Sequence, residues 1–116
     1  RGMHYQVGPS AEDKLVSCLA GKIFDVAIDI RPKSPSYRRW FGVELSSESH
    51  GALYVPKGFA HGFITLADNT LVHYQISNYF DQNLQRGLCW DDPAIGIRWP
   101  IEPHVISERD LGHPLL

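Results

Sequence analysis

The run Ile23-Phe24-Asp25-Val26-Ala27-Ile28-Asp29-Ile30 decides the fold class. Phe24, Val26, Ile28 and Ile30 share one parity, and Asp25, Ala27 and Asp29 share the other. Alternation with period two marks a strand, whose successive side chains point to opposite faces. Two carboxylates on one face read most simply as a solvent face. The functional alternative is a face that lines a polar pocket inside a barrel, where the acids orient a His or a Lys.

Similar runs lie on both sides of this one: Lys14–Leu19, Arg38–Leu45, Ala52–Val55, Phe59–Leu66 and Thr70–Ser77. Each is bounded by turn formers, among them Ala20-Gly21-Lys22, Pro56-Lys57-Gly58 and Ala67-Asp68-Asn69. Only Pro9–Lys14 has room for a turn of helix. Regularly spaced strands with short connections predict a nearly all-β chain, built as an antiparallel sandwich or barrel.

The chain has 116 residues, enough for one domain over residues 1–116 and not for two well-cored ones. Eleven Lys and Arg against thirteen Asp and Glu give a net charge of −2, which carries no basic footprint for nucleic acid. No apolar run approaches the roughly 20 residues of a membrane-spanning helix, so neither nucleic acid nor membrane is expected as a partner. Cys18 and Cys89 form no CxxC pair and read as two reduced thiols, the pattern of a cytoplasmic protein. The chain opens on Arg1-Gly2-Met3-His4, without an initiator methionine, and reads as part of something longer.

Six histidines without a closely spaced Cys/His cluster give no support for a metal site. Pro56-Lys57-Gly58-Phe59-Ala60-His61 has the P-x-G-x-x-H form of the second cupin motif, a turn entering a strand whose His faces into a barrel. A cupin metal site also needs H-x-H on an earlier strand, and the chain has none. His61 is then expected to act as a hydrogen-bond donor or base, or simply as a satisfied barrel histidine. Taken singly, His4, Lys14 and Tyr74 are an ordinary strand His, a surface Lys and a packed Tyr. Together they supply a base, a cation and a phenolic acid, the set that removes a proton beside a carbonyl and returns one elsewhere. Trp90-Asp91-Asp92-Pro93 and Ile97-Arg98-Trp99-Pro100 read as a turn with aromatic packing.

The segments RGMHYQ (1–6), KLV (14–16), FDVAIDIRPKSPSYRRWFGVELS (24–46), LYVPKGFAHGFITL (53–66), HYQISNYF (73–80), RGLCWDDPAIGIRWP (86–100) and ISERDLGHPLL (106–116) follow one another in a familiar order. In order and spacing they resemble dTDP-4-dehydrorhamnose 3,5-epimerases along essentially the whole chain. The resemblance implies a cupin-like antiparallel jelly roll that works without cofactor or metal as a homodimer. Its expected substrate is a 4-keto-6-deoxy sugar linked to dTDP, in L-rhamnose biosynthesis.

Carried over residue by residue, the resemblance makes His4 the general base and Asp110 its carboxylate partner, with Asp25 a second buried acid near the site. Lys14 and His61 match residues that hold the sugar and its developing enolate. Tyr74 matches the acid that protonates from the opposite face. Arg1 matches a ligand of the nucleotide diphosphate, Phe80 an aromatic ring that stacks on thymine, and Gln6 a substrate-side residue. Gln85 stands where many members carry Glu, and Arg109 where Lys is usual, both at nucleotide-contacting positions. Members also carry a substantial stretch before the RG-x-H motif, so the resemblance implies that this N-terminal part is missing here.

Overall fold

The computed structural model describes residues 1–116. In chain order it has β1 (His4–Gln6), a 3-10 turn (Gly8–Ser10), β2 (Lys14–Ala20), β3 (Lys22–Asp29), β4 (Trp40–Ser46), β5 (Ala52–Val55), β6 (Phe59–Thr65), β7 (Leu71–Ile76), β8 (Gln85–Gly87) and the short helix α1 (Glu108–Leu111). Five strands form one antiparallel sheet in the order β4-β3-β6-β1-β8, and three form the other in the order β5-β2-β7. Six strands coincide with the runs expected from the sequence to within two residues at each end. The short strands β1 and β8 and the helix α1 were not among the expected elements. The expected helical turn is the 3-10 turn, which starts one residue earlier, while Lys14 opens a strand.

β3 lies between β4 and β6, and both of its faces are covered. The face of Ile23, Asp25 and Ala27 looks into the space between the sheets, where Val16, Cys18, Ile23, Ala27, Leu45 and Val55 form a core. The expectation of a solvent face for the two carboxylates is therefore overturned: Asp25 is 0% exposed and Asp29 1%. The opposite face carries Val26 and Ile28, which join Met3, Ala60 and Leu88 in a second core. Trp99 and Leu116 pack against that core, so the C-terminal segment covers the outer side of the sheet. Full burial of side chains such as Met3, Val26 and Ile28 contributes about 1.5–3 kcal/mol each.

Asp29 is buried because it closes a loop. It accepts from Arg31 Nε (2.9 Å) and Nη2 (2.8 Å), from Ser34 Oγ (2.6 Å) and from Ser36 Oγ (2.5 Å). The Arg31 hydrogen bonds and those of the two serines, opposed by burial, hold its carboxyl far below the usual range. Trp90 and Trp99 are structural as expected: Trp99 Nε1 donates to the Trp90 carbonyl at 2.9 Å.

At the front of the chain, Arg1 lies flat along β6, with its carbonyl accepting from Phe63 N at 2.8 Å. Gly2 makes this possible, because a Cβ there would meet Gly62 Cα at 2.6 Å and the residue has φ of +117°. At the other end, Ser107 caps α1 by accepting from Asp110 N at 3.1 Å. The tail beyond is fixed by Cys89 N to the Pro114 carbonyl (2.8 Å) and by Leu116 N to Asp92 Oδ2 (2.6 Å). No helix is long and apolar enough to cross a membrane.

Candidate active site

The two sheets leave a cavity of about 310 Å³ between them, and its walls come from opposite layers. The five-stranded sheet contributes His4 and Gln6 from β1, His61 from β6 and Gln85 from β8. The three-stranded sheet contributes Lys14 from β2 and Tyr74 from β7. Arg1, Phe80 and Arg109 also line it, so nine of the sequence candidates meet in one place. A larger cavity of about 570 Å³ lies against the other side of β6, under the Trp90–Ile106 segment. Its walls are mostly apolar and include none of His4, Lys14, His61 or Tyr74, so the smaller cavity is the candidate site.

The remaining candidates, Asp110 and Asp25, stand behind the lining. His4 Nε2 lies 2.6 Å from Asp110 Oδ1, and His61 Nε2 lies 2.6 Å from Asp25 Oδ1. Strand register explains the adjacency, since His4 and His61 are paired opposite each other on β1 and β6. Of the two acids considered for His4, Asp110 is the one in contact with it, and Asp25 contacts His61. Asp110 also accepts from Gly2 N on Oδ2 at 3.2 Å. Burial pushes its carboxyl up, but hydrogen bonds from His4 and Gly2 outweigh that and hold it below the ordinary range.

Burial pushes His4 down, and the Asp110 carboxylate only partly offsets this. The imidazole is therefore neutral at pH 7, with Nε2 engaged by Asp110 and no protein partner at Nδ1. Lys14 is also lowered, first by burial, with Glu12 Oε1 at 3.4 Å from Nζ acting against it. Tyr74 is pushed up to about 12 by burial, so its phenol stays protonated. Its edge meets the His61 ring at a centroid distance of 5.9 Å. Arg1 acts in the opposite direction to burial, favouring the phenolate.

Gln6 lines the cavity while its amide is committed elsewhere. It donates to Ser10 O (2.8 Å), Tyr79 O (3.2 Å) and Glu12 Oε2 (3.3 Å), and accepts from Asp81 N (2.8 Å). It holds Glu12 and the 79–81 loop in place. Gln85 and Arg109, the two departures from the resembled pattern, are hydrogen-bonded to each other at the rim. Sequence reasoning missed Glu12, Asn78 and His113. Glu12 had a usable signal, because it precedes Lys14 by two positions and so shares its side of an extended chain.

His4, Asp110 and His113 place ligand-type atoms within 4.8 Å of one another. Two ligands of a tetrahedral zinc stand about 3.3 Å apart, given Zn–N and Zn–O bonds near 2.0–2.1 Å. The 2.6 Å between His4 Nε2 and Asp110 Oδ1 is too short for that and is the length of a charge-assisted hydrogen bond.

Fold and site together define a cupin-like jelly roll whose interior holds a pocket lined by histidine, lysine and tyrosine side chains. A family model described as dTDP-4-dehydrorhamnose 3,5-epimerase matches residues 1–116. The chain belongs to that family. It is 49% identical over 117 residues to the dTDP-4-dehydrorhamnose 3,5-epimerase of Sinorhizobium fredii, covering 100% of this chain and 60% of that protein. The crystal structure of the Bacillus anthracis enzyme with TDP and PPi bound matches with a TM-score of 0.97 and 41% identity, over 100% of this chain and 66% of that one. The Legionella pneumophila dTDP-6-deoxy-D-glucose-3,5-epimerase, in complex with dTDP-4-keto-L-rhamnose, matches with a TM-score of 0.95 and 40% identity, over 99% and 61%. The chain thus spans about three fifths of the length of most of the curated relatives it matches, and 34% of one.

Proposed function

We propose that this protein epimerises C3 and C5 of dTDP-4-dehydro-6-deoxy-D-glucose, giving dTDP-4-dehydro-L-rhamnose in dTDP-L-rhamnose biosynthesis. The observation that carries this reading is one cavity in which a neutral His–carboxylate pair and a protonated phenol come from opposite sheets. Epimerisation needs a proton taken from one face of a carbon and returned on the other, so base and acid must flank the ring.

In this reading His4 removes the proton beside the C4 ketone, and Asp110 steadies the imidazolium that forms. The carbon acid is too weak for a His base unaided, so Lys14 and His61 stabilise the enolate oxygen. Tyr74 returns a proton from the other wall and is left as a phenolate, with Arg1 as the cation beside it. Arg1, Phe80, Gln85 and Arg109 form the nucleotide end, with Phe80, 65% exposed, as a stacking surface for the base. Asp25 holds His61. The reaction runs on side chains alone, without cofactor or metal. Residues 1–116 act as one domain, the protein is a homodimer, and the free thiols Cys18 and Cys89 suit a cytoplasmic location.

Solvent-deuterium incorporation into dTDP-4-keto-6-deoxyglucose, read by NMR at C3 and C5, tests the reading. Exchange with inversion at both carbons is expected. Inversion at one carbon would make the protein a 3- or 5-epimerase, migration of the ketone a ketoisomerase, and binding without exchange a non-catalytic sugar-binding jelly roll. Sedimentation across a concentration series checks the dimer.

A further inference from the structure

His113 lies outside the cavity lining, yet it is built into the base. Its Nε2 is 3.2 Å from Asp110 Oδ1, the same oxygen that His4 Nε2 approaches at 2.6 Å. The two rings meet edge to face at a centroid distance of 5.4 Å. His113 is 13% exposed at its side chain, as is His4. Its seat is shaped for a ring: a Cβ placed on Gly87 would land inside the imidazole, so only glycine leaves the space free. Gly87 is the β8 residue paired opposite His4, which puts the vacant side-chain position beside the base. The chain then locks the seat through Pro114 O, which accepts from Cys89 N at 2.8 Å.

We propose that His113 is a positioning residue for the base, working through Asp110 in a three-member array His4–Asp110–His113. The inference rests on the reading of His4 as a base. A carboxylate offers acceptors only, so both imidazoles present Nε2–H to the shared oxygen. That fixes the tautomer of His4 and leaves its Nδ1 as the basic atom. Sharing has a second effect. The N–H of His113 draws on the oxygen that would steady a charged His4, so the array holds the base neutral and ready.

Few other groups compete for control of the array. His61 faces His4 from β6 and is engaged by Asp25. Arg1 stands ahead of β1 and, like His113, lowers His4. Arg109 neighbours Asp110 on the helix but is bonded to Gln85. Arg86 pairs opposite Tyr5 and so points to the other side of the sheet.

The test compares His113→Phe, which keeps a ring over Gly87 and deletes the N–H, with His113→Gln, whose amide nitrogen restores a donor near the Nε2 position. The His4 ring is titrated by NMR without substrate, and proton exchange into the keto sugar is measured alongside. In His113→Phe the His4 titration is expected to move to higher pH and kcat to fall several-fold with KM unchanged. In His113→Gln both should return toward wild type. An unmoved His4 titration in His113→Phe overturns the proposal. So does an equal loss in both variants accompanied by a lowered melting temperature, which would make His113 a packing residue. A shifted titration in a protein that exchanges no sugar protons supports the array and overturns the epimerase reading instead, so the two failures are distinguishable.

Discussion

Two histidine–aspartate pairs with the same 2.6 Å separation stand on neighbouring strands, and their surroundings differ sharply. Asp110 sits on a capped helical turn and takes three donors: His4 and His113 on one oxygen, and Gly2 N on the other. Asp25 lies in the middle of a central strand, fully buried, and its Oδ2 has no hydrogen-bond partner. A carboxylate held from both oxygens keeps its orientation while the charge on its partner changes. One held at a single oxygen in a dry core fixes a ring in place, with its second oxygen left unpaired. In the proposed reading, equal distances serve unequal roles: Asp110 partners the base His4, and Asp25 holds the His61 ring in place against the enolate.

Replacement of each acid breaks or sharpens that contrast most directly. His4→Ala should abolish exchange and inversion together. Asp110→Asn should lower turnover by about three to four orders of magnitude, the scale seen when a carboxylate no longer orients a catalytic His. Nucleotide binding should stay nearly intact, measured by calorimetry with dTDP. Asp25→Asn should act chiefly on stability, costing about 1.5–3 kcal/mol for the weakened hydrogen bond to a charged group. A crippled Asp25→Asn beside a nearly normal Asp110→Asn would reverse the assignment.

The next largest effect separates the walls of the cavity. Tyr74→Phe removes the donor with little change in volume, and the enolate should still form because His4 and Lys14 remain. The variant is expected to exchange ring protons with deuterated water while inverting poorly. Normal inversion at both carbons would return Tyr74 to a packing role.

A smaller effect follows from the depressed titration of His4. Its conjugate acid forms only below the ordinary histidine value of about 6.5, so kcat/KM should hold through pH 6.5 and fall at more acidic pH. The stability contribution has the same sign. It is complete above about 6.5, where unfolded His4 is also neutral, and is lost as pH falls through the folded value, because the unfolded chain takes up the proton first. An acid limb centred above 6.5 would show that the carboxylate outweighs burial. The smallest effect expected is that of chelation. Prolonged treatment with a chelator should leave activity unchanged, and loss restored by zinc or manganese would make the Asp110 pair a metal site.

The contrast between the two pairs also marks how far the sequence could be read. Six strands were legible because their apolar runs are long and punctuated by Gly, Pro and Asn. β1 and β8 were not, since three residues carry too little periodicity to stand out. Alternation in β3 separated its two faces correctly but did not show that both are buried. That depended on Trp99 and Leu116 folding back over the outer face, contacts between positions some 70 to 90 residues apart in the sequence. The residues of the pocket were reached through resemblance rather than spacing, because the lining is drawn from five strands and the segments around them. His113 left no local trace: its meaning arises only when the last turn of the chain meets β8.

That meeting has a kinetic side. His4 and Asp110 are separated by 106 positions, so the base is completed by joining the first strand to the last helix. Closing so large a loop is slow and depends on both sheets being in place beforehand. On refolding, recovery of catalysis should trail the recovery of sheet structure.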